Sequence, residues 1–318
     1  MSAPPVLPPG SRLVLLGGPT AAGKSAVALC LAERMGGEIV SVDSMQVYRG
    51  MDIGTAKPSP ADRARIPHHL LDVVDITEPF DAARFVQLAR AAVAEIAARN
   101  RRAILCGGTG LYFKAFLEGL TEAPSADPAL RAELEATPLP ALLEELARRD
   151  PATCERIDRK NRRRVIRALE VIRLTGKPFS ALRHPWRQPG VLPPEVAGAF
   201  VLNRPAADLR QRIDQRVEDM FRRGLVAETT RLLDAGLDRN PVALQALGYR
   251  QVVEHLRGET PLAETVERVK ARTRQFAKRQ VTWFKRQLPF QWLMIESSES
   301  PEQIAERLER ALIGQSAL

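Results

Sequence analysis

Gly18-Pro19-Thr20-Ala21-Ala22-Gly23-Lys24-Ser25 is the stretch that decides the fold of this chain. Its spacing is G-x-x-x-x-G-K-[ST]. It follows the apolar run Leu13–Leu16 and opens a segment, Gly23 to Met35, with helical periodicity. Strand, glycine-rich turn and helix, in that order, are the context in which this spacing binds phosphate. Gly18 and Gly23 let the backbone curl so that its N–H groups converge on phosphate oxygens. Lys24 adds a full positive charge. Ser25 offers a hydroxyl to Mg²⁺ at the helix N-terminus, where the dipole also favours anions. The expected phosphate-binding set is therefore Gly18, Pro19, Thr20, Ala21, Ala22, Gly23, Lys24 and Ser25, with Ser25 as the metal ligand.

Working outward, short apolar runs alternate with helical patterns. Gly36-Gly37 is a plausible helix stop, and Glu38–Val42 a second strand. Phe85 to Ala98 reads as an Ala-rich helix, and Ala103–Cys106 as a third strand ending in Gly107-Gly108. Strands separated by helices predict a parallel sheet with right-handed crossovers. The pattern changes near Thr121: from Ala129 to Thr175 there are helical patterns and no strand-like run. After a Pro/Gly-rich stretch, His184 to Pro194, Ala199–Asn203 looks like a strand again. Helices then begin at Pro205, a long one spans Leu262 to Gln287, and Phe290–Ile295 is a possible last strand. Ser300 and Gln303 form a capping-box start for a final helix. The expected fold class is α/β, a P-loop-like parallel sheet flanked by helices, with an inserted all-helical domain. The expected divisions are 1–122 for the first part of the core, 123–191 for the insertion and 192–318 for the rest of the core.

A phosphate loop does not by itself define the reaction. A usual P-loop NTPase places an Asp at the end of another apolar strand to hold Mg²⁺. Here the run Ala103–Cys106 ends in Gly107-Gly108-Thr109-Gly110, and the acid at a strand end is Asp43. In a parallel sheet, Gly18–Ser25, Asp43 and Gly107–Gly110 share the carboxyl edge, where open α/β sheets bind ligands. Asp43 is then either a base or metal-linked acid beside the phosphate, or a turn and helix-cap residue.

The chain has 318 residues, 45% apolar and 27% charged, which excludes disorder and collagen-like repeats. Cys30, Cys106 and Cys154 are far apart, so a disulfide framework and a structural zinc site are not expected. No apolar run is long enough for a membrane span, and Met1–Gly10 does not read as a signal peptide. A reducing cytoplasm is the expected compartment. Lys+Arg exceeds Asp+Glu by 47 to 38, a net charge of +9. Two tracts carry much of that excess. Arg159 to Arg167 has six basic residues in nine, and Lys270 to Gln287 has seven in eighteen with no acid. The second also holds Phe276, Trp283 and Phe284. Basic side chains neutralise backbone phosphates, and aromatic planes can stack on exposed bases, so the two tracts together favour a nucleic-acid partner. The alternative for each is a solvated helix face with its aromatics in the core.

Beyond these general motifs, the chain resembles the tRNA dimethylallyltransferases. The matching words are GPTAAGKS at 18–25, DSMQVYRGMDIGTAKPS at 43–59, PHHLLD at 67–72, GGTGLYFKA at 107–115, RRRVIRALEV at 162–171, LTGKPFS at 174–180, ALGYR at 246–250 and TRQFAKRQVTWFKR at 273–286. They run in the family's order and cover the chain from about residue 13 to 290.

The resemblance implies transfer of a dimethylallyl group from its diphosphate to N6 of the adenine 3′ of the anticodon, releasing diphosphate, with Mg²⁺. The phosphate loop would then hold an isoprenoid diphosphate. Asp43 would be the base, and Thr20, Lys24 and Arg216 would act on the diphosphate. For Arg216, a surface ion pair is the alternative. Asp43, Ser44, Met45, Gln46 and Thr109 would contact the target nucleotide. Arg131, Arg163, Arg164, Val165, Ile166, Arg167, Ala246, Leu247, Gly248, Tyr249, Arg250, Lys278, Arg279, Gln280, Trp283 and Lys285 would touch the tRNA anticodon stem-loop. Trp283 and Phe284 stand equally well in the core. His68 and His69 belong to a family word without an assigned role and are expected to be structural. Ala22 and Asn161 depart from the commoner Ser and Asp. A monomer is the expected working form. Two other readings remain at this stage. One is a P-loop nucleoside or nucleotide kinase with an inserted lid, and the other a non-catalytic tRNA-binding protein.

Overall fold

A computed structural model of the chain describes residues 12–120, 124, 127–182 and 192–315. The proline-rich start Met1–Gly10 and residues 184–191 of the Pro/Gly-rich stretch lie outside them. The chain divides into two compact units, 1–118 with 189–318, and 119–188.

In the first unit the order begins β1 (Leu13–Gly17), α1 (Lys24–Met35), β2 (Gly37–Val42), α2 (Pro60–Arg65), β3 (His68–His69), α3 (Ala82–Ala98), β4 (Arg102–Gly107) and α4 (Gly110–Glu118). Helix α1 stops at Gly36, whose φ of 64° is the left-handed conformation that a C-cap favours. The second unit holds α5 (Pro128–Ala136), α6 (Leu139–Arg149), α7 (Pro151–Arg156), α8 (Arg162–Thr175) and α9 (Phe179–Leu182). The first unit then resumes with β5 (Val196–Asn203), α10 (Ala206–Arg222), α11 (Leu225–Asp234), α12 (Tyr249–Leu256), α13 (Leu262–Gln287), β6 (Gln291–Met294) and α14 (Pro301–Gln315). Pro205 is the N-cap of α10 rather than a residue of its first turn. Four of these elements carry no expectation from the sequence, β3, α2, α4 and α9, and all but α4 are too short to show a period.

The six strands form one parallel sheet in the order β3-β2-β4-β1-β5-β6. Strand β1 lies between β4 and β5, so the connections leaving β1 and β4 run to opposite sides. That reversal opens a crevice at the carboxyl ends of β1 and β4. Both faces of the sheet are covered, and the period of two sorts the side chains. Leu13, Leu15, Ala103 and Leu105 pack on one side with Phe85 of α3, Phe113 of α4 and Phe284 of α13. Val14, Leu16, Ile104 and Cys106 pack on the other with Val27 and Leu31 of α1 and Ile304 and Leu308 of α14. Each such buried Leu or Phe contributes roughly 1.5–3 kcal/mol. The strand ends that carry the site are therefore fixed by a two-sided core.

The second unit has its own small core of Leu134, Leu142, Leu146, Val165, Leu169 and Ile172. Asp150 caps α7 by accepting the Thr153 N–H at 3.0 Å, and it also holds the Ser180 N–H at 2.8 Å.

Candidate active site

The phosphate loop runs from β1 into α1. Gly18 has φ 143°, and a Cβ there would stand 2.3 Å from the Leu202 carbonyl oxygen of β5. Gly23 caps α1 at φ 97°. Two arginines hold carbonyl groups of the loop. Arg212 Nε donates to the Ala21 carbonyl at 3.0 Å, and Arg204 Nε to the Ala22 carbonyl at 3.0 Å. With those carbonyls taken by arginines, the N–H groups of Gly23, Lys24, Ser25 and Ala26 have no acceptor among the described residues. These are the helix N-terminal donors that an anion satisfies. One expected donor is committed elsewhere: the Thr20 N–H goes to Gln280 Oε1 at 2.9 Å.

Beside the loop lies a cavity of about 390 Å³. Its floor is Gly23, Lys24 and Ser25, and its far wall is one face of α10. Arg212, Gln215, Arg216, Asp219 and Met220 recur on that wall at helical spacing. Ile53 and Ala56 give it an apolar side. Desolvation pulls Lys24 down to about 8, with Arg216 pulling the same way and the charge of Asp43 opposing. Lys24 Nζ donates to the Pro19 carbonyl at 2.7 Å. Burial also lowers the Arg216 guanidinium, and Asp43 opposes that shift. Two cations in a partly desolvated cavity with free N–H groups are complementary in charge to an anion. Arg216, whose alternative was a surface ion pair, carries no ion pair among the described residues and lines the cavity.

Asp43 follows β2. Its Oδ1 accepts the N–H groups of Met45 at 2.8 Å and Gln46 at 3.2 Å. The turn role is thus present, and it uses one carboxylate oxygen only, while the charge of Asp43 acts on Lys24 of the loop. The next strand end is tied to it. A Cβ on Gly107 would lie 2.0 Å from the Val42 carbonyl, and Thr109 Oγ1 accepts the Ser44 N–H at 3.2 Å. Gln46 is occupied by the protein itself: Ser41 Oγ donates to its Oε1 at 2.9 Å and its Nε2 donates to the Thr55 carbonyl at 3.2 Å. Beneath the loop, burial pushes the Cys106 thiol up to about 11, so it stays protonated.

Several residues expected at a tRNA surface are elsewhere. Val165 and Ile166 face the core of the second unit, since α8 must bury one stripe. Ala246, Gly248 and Tyr249 are buried, and only Leu247 and Arg250 of that word reach solvent. Gln280 is 7% exposed, and its Nε2 donates to the Gly108 carbonyl at 2.8 Å. Phe284 is fully buried, and half-buried Trp283 packs edge-on against it and over Gly110. The core reading holds for Phe284, while Trp283 packs against the core with part of its surface exposed. Lys278, Arg279, Lys285 and Arg286 are exposed on α13 and carry no ion pair among the described residues. On α8, Arg163 and Arg164 are exposed in the same way, while Arg167 is paired with Glu170 at 2.6 Å and bonded to the Pro124 carbonyl at 2.8 Å. Arg131 pairs with Glu135 at 3.3 Å.

Comparison with known proteins adds the family. The model for IPP transferase matches residues 46–287. The chain belongs to the IPP transferase family. Among its relatives, the tRNA dimethylallyltransferase 1 of Trichlorobacter lovleyi is 48% identical over 288 residues, covering 89% of this chain and 93% of that protein. The tRNA dimethylallyltransferase of Anaeromyxobacter dehalogenans is 46% identical over 304 residues, 94% of this chain and 99% of that one. Among solved structures, the full-length tRNA isopentenylpyrophosphate transferase of Bacillus halodurans is 36% identical, with TM-score 0.69 over 96% of this chain and 98% of that one. A eukaryotic dimethylallyltransferase solved acting on tRNA gives TM-score 0.81 at 28% identity, over 96% of this chain and 80% of that one. The family match begins just after Asp43, and it includes α10 with its cavity face.

Two histidines of this family member have structural partners. His69 Nε2 meets buried Glu38 Oε2 at 2.7 Å, and Arg99 meets the same oxygen at 2.7 Å. His68 Nδ1 lies 2.7 Å from the Ile66 carbonyl. Among the described residues no group of three His, Cys, Asp or Glu could hold a metal, and no helix is long and apolar enough to cross a membrane. Reading the sequence missed Arg204, Arg212, Ile53, Met220 and the clamp role of Gln280. The arginines at 204, 212 and 216 recur at multiples of four, a spacing that was visible. The rest depended on which loops α13 and α11 reach.

Proposed function

We propose that this chain is a tRNA dimethylallyltransferase, moving a dimethylallyl group from dimethylallyl diphosphate to N6 of the adenine 3′ of the anticodon. The single observation that carries this is the cavity floored by Lys24 and walled by Arg216, both of which feel the charge of Asp43, with free N–H groups at the start of α1. Support for the substrate class comes from relatives named for that reaction.

Adenine N6 is a weak nucleophile because its lone pair is delocalised into the ring. In the proposed reaction Asp43 takes the N6 proton as the nitrogen bonds the allylic carbon. The carbon–oxygen bond breaks, and its electron pair leaves on the diphosphate. Lys24, Arg216 and the N–H groups of Gly23 to Ala26 receive that charge. Thr20 acts here through its hydroxyl, since its N–H is taken by Gln280. Thr109 fixes the Asp43 turn from the side. Among the described residues, the exposed hydroxyl of Ser25 at the cavity floor fits Mg²⁺, which takes few protein ligands and keeps phosphate oxygens and waters. When bound there, Mg²⁺ would supply further neutralisation of the leaving diphosphate. On the tRNA side, Arg163 and Arg164 of α8 and Lys278, Arg279 and Lys285 of α13 are the proposed phosphate contacts. The working form is proposed to be a cytoplasmic monomer.

The kinase alternative lacks an acid after β4, where Gly107, Gly108 and Thr109 stand. Purified protein incubated with unmodified tRNA, dimethylallyl diphosphate and Mg²⁺ is expected to yield N6-dimethylallyladenosine by mass analysis of the nucleosides. Its absence, with ATP-dependent phosphorylation of a small acceptor, would favour the kinase.

A further inference from the structure

The turn at Ile53–Ala56 forms the apolar wall of the cavity, yet it has no regular secondary structure of its own. It is held by two residues that do not themselves line the cavity. Glu228 of α11, 3% exposed, accepts the Ile53 N–H on both oxygens at 3.0 and 2.9 Å and the Gly54 N–H at 3.3 Å. Tyr249 of α12 donates its hydroxyl to Glu228 Oε1 at 2.6 Å and accepts the Gly54 N–H at 3.1 Å. The Tyr249 ring also fills the space where a Cβ of Gly54 would stand, 2.4 Å away. Burial and the Glu228 carboxylate raise Tyr249 well above the usual phenol range, so its proton stays on oxygen. Glu228 has no cationic partner among the described residues. A buried carboxylate without a counter-ion is costly unless donors surround it, so this arrangement is an unusual way to hold a surface turn. The opposite, carbonyl side of the turn is held by Gln46, three residues from Asp43.

On the reading of this cavity as the isoprenoid diphosphate site, we infer that Glu228 and Tyr249 are positioning residues that set the substrate's chain length. With the diphosphate on Lys24 and Ser25, the hydrocarbon lies against Ile53, Ala56 and Met220. The cavity width there depends on where the turn sits. The backbone of Ile53 and Gly54 cannot retreat from the cavity while its N–H groups are bonded to Glu228. A five-carbon chain fits against a fixed wall, and a ten-carbon chain needs the wall to give. Discrimination by size alone in an apolar pocket is about 10- to 200-fold per methylene-scale change, so a released turn should erase an effect of that order.

The test compares dimethylallyl and geranyl diphosphate as donors for unmodified tRNA, using full-length wild type, Tyr249→Phe, Glu228→Gln and Glu228→Ala. Circular dichroism, thermal melting and tRNA affinity confirm that each variant is folded. The wild-type five-carbon preference, as a ratio of kcat/KM, is expected to fall about tenfold or more in Glu228→Ala. It should fall less in Glu228→Gln, whose carbonyl still accepts one N–H, and least in Tyr249→Phe. KM for dimethylallyl diphosphate should rise while tRNA affinity stays. If Glu228→Ala does not fold, the other two variants carry the test. An unchanged donor ratio in the folded variants, with kcat lowered equally for both donors, overturns the inference. Failure of wild type to transfer the five-carbon group at all would instead overturn the activity on which it rests.

Discussion

Gln280, buried on the long helix α13, accepts the backbone N–H of Thr20 at 2.9 Å. The other end of the same amide donates to the Gly108 carbonyl at 2.8 Å. One side chain thus joins the loop after β1 to the loop after β4, and it belongs to the helix whose opposite face carries the basic stripe. Gly108 is part of the fit, since a Cβ there would lie 2.3 Å from the Gln280 amide nitrogen. Removing this clamp leaves a half-buried N–H and a half-buried carbonyl without their protein partner, at a cost of about 1–3 kcal/mol each at most. Gln280→Ala is therefore expected to lower thermal stability and to raise KM for dimethylallyl diphosphate, with tRNA affinity little changed. A variant that loses tRNA affinity while keeping its diphosphate KM would return Gln280 to the tRNA surface.

Asp43→Ala removes the proposed base but leaves the cavity cations. The chemical step is expected to slow by about 10²- to 10⁴-fold in single-turnover assays. Affinity for tRNA should hold within a few-fold. Weakened tRNA binding at an unchanged single-turnover rate would mean that Asp43 acts only through its turn.

Lys24 gives a pH dependence with a definite sign. In the empty site its value is lowered to about 8, so it is protonated below that pH and increasingly neutral above it. Diphosphate affinity is expected to fall as pH rises through about 8, and binding at pH 8.5, roughly half a unit above that value, should take up protons. Titration calorimetry in buffers of different ionisation enthalpy reads this uptake, and Lys24→Arg should abolish it. For folding, the unfolded lysine titrates near 10.5, so the desolvation cost is present below about 8 and is relieved as pH rises toward 10.5. An uptake that survives in Lys24→Arg would assign the proton to another group.

Neutralising Arg163 and Arg164 together is expected to weaken tRNA binding and flatten its salt dependence. The slope of log affinity against log salt should drop by about 0.7–0.9 for each tRNA phosphate that is no longer neutralised. Filter binding across a salt series measures it. An unchanged slope would make that face of α8 a solvated surface only.

Phe284→Ala empties a site between Gly17, Phe113 and Phe290. A loss of about 3–5 kcal/mol in chemical denaturation is expected. Affinity of the folded fraction for tRNA should be unaffected, as befits a ring with no exposed surface. Weaker tRNA binding at unchanged stability would restore a stacking role.

Much of this molecule was legible beforehand where one residue type has one physical use. Glycines at 18 and 23 followed by Lys24 meant a curled, N–H-lined loop, and the apolar run Leu13–Leu16 meant a strand, which the fold then buries on both faces. The helix predicted from Leu262 to Gln287 is α13 with the same ends, since 26 residues of amphipathic pattern leave little ambiguity. Contact residues within family words were less legible. Val165, Tyr249 and Gln280 stand beside exposed cations in sequence but are buried, because a helix turns its side chains by about 100° per residue.

The sequence alone determined the parallel α/β class, the anion loop, the acid at the end of β2 and the two basic tracts, because each depends on local spacing. Tertiary structure alone decided which side chains meet. Arg204 and Arg212 reach Ala22 and Ala21, Gln280 reaches Thr20, and Glu228 reaches Ile53, across separations of 175 residues or more. Such meetings follow from the order in which strands assemble and the helix faces that the sheet then buries. Neither is encoded in the neighbours of any one of those residues.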